Sequence, residues 1–273
     1  MIQIEDHMHE LYGIPMATCA RKALHVMFEK GADIAYREVE REYLRTTGFR
    51  LLNPEGLVPV LVTNDGHAIS ESSIVMRYID DTFPGPPLQP SRPLARANMN
   101  MWLKLVDERY FGAIGAITVA TFIRAILGDP LDEAKLSAML DAIEDDTARS
   151  ARELPIRLGV DAPTVRIAIR QLPAMLRRME QALEHTRWLA DDELSLADSA
   201  VMPLMLRLEE FGLEALWMDG GLPNVDRWWQ ALRAREASKR LLDLVHADMR
   251  AQITASADAL RTSLLSQMHQ HLG

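Results

Sequence analysis

A single cysteine, Cys19, occurs in this chain of 273 residues. There is also no run of eighteen apolar residues, aromatics are only 6%, and positive charge is not in excess. Each shortage excludes something. One cysteine cannot form an internal disulfide and points to a reducing compartment, so the cytoplasm is the expected location. Without a long apolar run, a spanning helix and a membrane partner are not expected. A formal net charge of −9 argues against nucleic acid as a partner. The opening residues, MIQIEDHMHE, are acidic and too short of apolar length for a signal peptide. His7 and His9 in this stretch have only Glu5, Asp6 and Glu10 beside them, which fits no metal-ligand spacing. No metal site is expected, and the stretch reads as a mobile terminus.

What the chain does have is apolar content, 48%, and enough length for two domains. Residues 10–15 read as a short strand. Residues 18–30 place Ala20, Leu24, Met27 and Phe28 at helical spacing, with Gly31 as a C-cap. Residues 34–39 alternate as a second strand, and 40–52 are weakly helical. The stretch LVPVLVTNDGHAISES, 57–72, reads as a strand headed by Pro59, a turn at Asn64-Asp65-Gly66, a second strand and a helix start near Ser72. The order is βαβ, an irregular link, then ββα. FPGPPLQPSRP, residues 83–93, holds five prolines and reads as a linker. Beyond it the signal is helical throughout. One long helix over 94–127 should bend near Gly112 or Gly115. An amphipathic stretch at 131–153 follows, then a helix over 163–186 that breaks at Pro173. Two more helices open at Ser195 and Asn224, and the tail over 236–272 is polar and helical.

The ordered set Asn53-Pro-Glu-Gly-Leu-Val-Pro-Val-Leu61, Glu71-Ser72 with Tyr78-Ile79-Asp80, and Ser195-Leu-Ala-Asp198 with Pro203 resembles the glutathione S-transferase superfamily. The segment Met101–Glu108 and the length between Arg124 and Arg178 are most similar to its bacterial lignin β-etherase-like branch. The resemblance implies an α+β fold: an N-terminal thioredoxin-like βαβ-ββα domain, then an all-α helical bundle. The corresponding division is 1–83 for glutathione binding, 84–93 for the proline-rich linker and 94–273 for the acceptor-substrate domain. It also implies a cis peptide at Pro59, which turns the backbone of Val58 outward to pair with glutathione as an added strand.

Several residues follow as candidates. Glu71 and Ser72, at a helix N-terminus, suit the γ-glutamyl ammonium and carboxylate. Cys19 lies at the start of the first helix, where backbone amides lower a thiol pKa; its placement resembles the catalytic cysteine of bacterial β-class enzymes. Thr18 carries the hydroxyl of this loop, since Ala17 and Ala20 stand where serine-type members carry theirs. Such a hydroxyl keeps a glutathione thiolate ionised. Tyr12 is a further candidate for that role. Leu57 replaces the usual Lys or Gln for the glycyl carboxylate, leaving Arg50 to reach it. Met16, Trp102, Val106 and Tyr110 are candidates for an acceptor site, the last three at a spacing that shares one helix face; helix–helix core is the alternative for them. Ser195 and Asp198 form a helix cap with no chemistry.

The expected function is a glutathione-dependent transferase that conjugates or cleaves a small apolar electrophile, with glutathione as co-substrate and a homodimer as the assembly. Two alternatives stand beside it: a thiol-disulfide or deglutathionylating enzyme working through Cys19, and a non-enzymatic binding module on the same fold.

Overall fold

The computed structural model describes residues 8–272 apart from 142, 144 and 219. His7 lies outside the described residues. His9 is no mobile terminus: it opens strand β1 (His9–Gly13) and packs edge-on against Phe83. Helix α1 (Thr18–Lys30) follows and stops at Gly31, whose left-handed φ of 58° lets its amide turn back to the last turn. Then come β2 (Ile34–Glu38), a short helix α2 (Thr47–Leu52), β3 (Val60–Val62), β4 (Ala68–Ile69) and α3 (Ser72–Thr82). The sheet order is β2-β1-β3-β4. β1 runs parallel to β2 and antiparallel to β3, with Leu11 opposite both Tyr36 and Leu61. That is the thioredoxin-like order expected. Leu11, Leu61, Leu24, Val75 and Ile79 form the apolar layer between sheet and helices, all fully buried. Pro59 precedes β3, so its missing amide breaks no ladder bond.

The chain divides into two compact units. The first comprises residues up to Leu103 together with Arg187–Pro203 and Gln230–Val245. It includes the proline-rich stretch, which is packed rather than free. Lys30 and Asp80 form an ion pair of 3.0 Å with both side chains almost wholly buried. Lys30 also donates to the Pro86 carbonyl, and Asp80 accepts from the Leu88 amide. Gly85 passes so near that a Cβ would sit 2.9 Å from the Lys30 carbonyl, so no other residue fits without a shift. Also in this unit, Asp198 accepts from the Leu189 and Ser195 amides at 2.9 Å each, the structural cap expected of Ser195-Leu-Ala-Asp198.

The second unit is helical: Lys104–Thr186, Leu204–Trp229 and the tail from His246. The long helix Pro93–Leu127 passes through Gly112 and Gly115 unbroken. Its irregularities are two wide turns with π-type hydrogen bonding, Val106–Tyr110 and Val119–Ile123. This helix is long and apolar enough to cross a membrane by length and composition, although 61% of its most apolar eighteen-residue window is buried inside the protein. Scattered polar residues hid that property from a search for an uninterrupted apolar run. The 131–153 stretch is two helices, Glu133–Asp141 and Asp146–Leu158. Pro163–Leu183 continues through Pro173. The tail reads as polar yet buries Ile253, Leu264 and Met268 fully.

Candidate functional site

The candidate site is built where three chain segments meet at one end of the sheet. Ile14 to Ala17 form a tight turn, closed by the Ala17 amide on the Ile14 carbonyl at 2.9 Å. Arg21, buried one turn into α1, donates to the Pro15 carbonyl at 2.8 Å and holds that turn. Ala17 offers no side-chain cap, so the first amides of α1 are unused by any cap.

The second segment precedes β3. Asn53, buried, donates to the Leu57 carbonyl at 2.8 Å and accepts from the Glu55 amide. This fixes the backbone up to Val58, and the Val58–Pro59 peptide is cis. Cys19 donates its thiol proton to the Val58 carbonyl at 3.0 Å. Two of the sequence candidates, 39 residues apart, therefore touch directly.

The third segment is the start of α3. Glu71 has φ 67° and ψ 112°, the one positive-φ non-glycine among the described residues. Such backbone costs about 1–3 kcal/mol and points to a functional constraint. The Glu71 carbonyl accepts from the Ile74 and Val75 amides, and no side chain caps the helix. The hydroxyls of Thr18 and Ser72 have no partner among the described residues, and neither residue is fully buried. Both helix starts thus present a hydroxyl donor without a partner among the described residues.

The thiol of Cys19 departs from expectation. Burial pushes its pKa up, outweighing the Ala20 and Cys19 amides and the charge of Lys22, which pull it down; Glu71 adds to the rise. The helix start alone does not produce a thiolate here. Tyr12 also departs. Its hydroxyl donates to Glu10 at 2.7 Å, and its pKa is pushed up to about 12 by burial and that carboxylate. It is committed to a surface cluster in which Arg37 holds the same Glu10.

Arg50 is exposed on α2 with no ionic or hydrogen-bond partner among the described residues, its guanidinium beside Gly56. Leu57 is 59% exposed. Of the acceptor candidates, Met16 is half-buried, but Trp102, Val106 and Tyr110 are core. Trp102 donates its indole N–H to the Leu189 carbonyl at 3.1 Å. Helical spacing put them on one face; burial shows that face serves packing. No cluster of metal-ligating side chains occurs among the described residues.

Sequence reasoning missed Asn53 as the anchor of the Val58 loop, and it missed Lys22. Lys22 lies three and four residues after Cys19 and Thr18, so helical spacing was the available signal.

Comparison with known proteins places these features in context. The glutathione S-transferase N-terminal domain matches at residues 17–82, and the C-terminal domain at 132–236. The chain is 25% identical over 240 residues to Protein LigF of Sphingobium sp., covering 86% of this chain and 93% of that one. It is 27% identical over 243 residues to Glutathione S-transferase 3 of Zea mays, covering 85% and 91%. The crystal structure of beta-etherase LigF superposes with a TM-score of 0.76 over 87% of this chain and 99% of that one, at 25% identity.

Proposed function

Because this chain belongs to the glutathione S-transferase family, carrying both of its domains in chain order, we infer that it is a glutathione-dependent transferase acting on a small apolar electrophile. Glutathione pairs with the backbone of Val58 as an added strand. Its γ-glutamyl carboxylate takes the free amide and hydroxyl of Ser72, and its ammonium takes Glu71. The glycyl carboxylate goes to Arg50, since Leu57 has no donor. The observation that carries this reading is the pair of uncapped helix starts, α1 and α3, with free hydroxyls at Thr18 and Ser72.

Thr18 supplies the hydrogen bond that keeps the glutathione sulfur ionised. The thiolate attacks the electrophilic carbon and a sulfur–carbon bond forms: either the carbon's bond to its leaving group breaks, the electron pair departing with that group, or the π bond of an activated double bond breaks, its pair moving to the neighbouring atom, which takes up a proton from water. The likeness to a protein named as a beta-etherase supports an ether as the substrate; an aryl ether is the form whose leaving group, an aryl oxide, departs most readily. The protein contributes proximity and a lowered thiol pKa. Thiol transfer through Cys19 is the lesser reading. Its thiol is raised in pKa and already engaged as a donor to Val58.

A cytoplasmic homodimer completes the reading, on the grounds of family and of a single unpaired cysteine. The test is calorimetric titration with glutathione to millimolar concentration, followed by turnover on matched aryl ethers and aryl halides. A flat titration would sink the reading; turnover of the ether with release of the aryl oxide would establish the substrate class.

A further inference from the structure

Lys22 is wholly buried, an unusual place for a lysine. It donates to the hydroxyl of Ser73, on α3 and 51 residues away, at 2.9 Å. On α1 it lies one turn below Thr18 and Cys19, at the i+4 and i+3 spacings that share a helix face. Ser73 is itself buried and directly follows Ser72. One buried cation therefore underlies both helix starts of the site.

We propose that Lys22 is a positioning residue for the thiol site, a buried cation that ties the first turn of α1 to the first turn of α3 and lends its charge to a thiolate held above it. This rests on the glutathione reading given above. A charge costs free energy to bury, and an apolar side chain of the same length would fill the space without that cost. Retaining the charge gives the site what its uncapped amides supply only in part, a fixed positive potential in surroundings where water screens little.

The charged and polar groups around the Cys19 sulfur bear this out. From its own helix come Lys22 and the amides of Cys19 and Ala20, all favouring a thiolate. From α3 comes Glu71, opposing it, and from the loop before β3 the Val58 carbonyl, which accepts the thiol proton. Among the described residues, the charge of Lys22 acts on this sulfur in favour of the thiolate. Two further buried cations of α1 are engaged elsewhere: Arg21 donates to the Pro15 carbonyl, and Lys30 pairs with Asp80.

Cys19 serves as a built-in probe of that field. The experiment compares wild type, Lys22→Arg and Lys22→Met. The rate of iodoacetamide alkylation of Cys19 is followed against pH without glutathione, and the ultraviolet thiolate absorbance of bound glutathione against pH with it. In Lys22→Met both midpoints should rise by roughly one unit or more, and Lys22→Arg should restore most of the shift. A lysine that merely fills space would leave the midpoints of folded Lys22→Met at wild-type values, and that result overturns the proposal. Circular dichroism establishes that the variant is folded; should it not fold, Lys22→Gln is read in its place. The two readings separate cleanly. Absence of a bound-thiolate signal in wild type removes the glutathione reading, while the alkylation arm still decides the role of Lys22.

Discussion

At the residue scale the contest is between Thr18 and Cys19. Both lie at the start of α1, and the sequence favours Cys19, since its placement resembles a cysteine-type member and no serine lies in this loop. Cys19 spends its proton on Val58, and burial raises its pKa. The Thr18 hydroxyl has no partner among the described residues. Thr18→Ala should therefore raise the pH midpoint of the kcat/KM profile and slow turnover roughly ten- to hundredfold, as expected for a lost hydrogen bond to a charged group of about 1–3 kcal/mol. Cys19→Ala should leave that midpoint within a few tenths of a unit. The pH-rate profiles of the two variants check this, and an upward shift in Cys19→Ala alone would reverse the assignment. Ser72→Ala should act on binding: KM for glutathione rises several-fold while kcat changes little, measured by initial rates at saturating electrophile.

At the scale of single elements, capping decides much. α1 and α3 begin without side-chain caps, whereas the helix Leu196–Glu210 begins with a carboxylate, Asp198, that accepts three hydrogen bonds. Asp198 is fully buried and accepts from the Leu189 amide, the Ser195 amide and the Ser195 hydroxyl. Asp198→Ala would orphan these donors, each costing about 1–3 kcal/mol when buried and unpaired. The expected loss is about 3 kcal/mol or more, read as a lower midpoint in urea unfolding. Asp198→Asn, which keeps one acceptor, should lose less. An unchanged midpoint for the alanine variant would show that the cap contributes nothing. The contrast has a functional sense: a helix start that binds a ligand has to leave its amides free, and one that serves folding does not.

At the scale of the whole molecule, acid should find a weak point in His25. The ring is fully buried in the first unit, between the hydroxyls of Ser199 at 3.0 Å and Ser238 at 3.2 Å. Ser238 gives its own proton to the Leu232 carbonyl, so Nε2 of His25 carries the hydrogen and Nδ1 accepts from Ser199. Burial lowers the His25 pKa from 6.5 to about 4; Glu29 opposes this, and Arg235, paired with Glu29 at 2.6 Å, assists it. The fold thus holds the neutral ring, while the unfolded chain takes up a proton near pH 6.5. The stabilisation is whole above pH 6.5 and is lost as pH falls from there to about 4, roughly 3 kcal/mol in all. Guanidinium unfolding across that window should show the fall, and His25→Gln should flatten it. A slope unaltered by His25→Gln would assign the acid sensitivity elsewhere.

The sequence by itself determined the element order, the strand headed by Pro59, the α1 stop at Gly31 and the cap at Ser195 and Asp198. It also supplied the pairing of Val58 with Ser72 as site candidates, through resemblance. These signals are short in range: apolar period, turn residues and caps act within a few positions. Only the tertiary structure decided what surrounds a side chain. It put Cys19 against Val58, Lys22 against Ser73 and His25 between two serines, and it turned Trp102 and Tyr110 from candidate ligand contacts into core. It also packed the proline-rich stretch against Lys30 and Asp80, where composition reads only as a tether. Burial and charge fix a pKa and a hydroxyl's partner, and both depend on residues tens to hundreds of positions away in the chain, which no local pattern can specify.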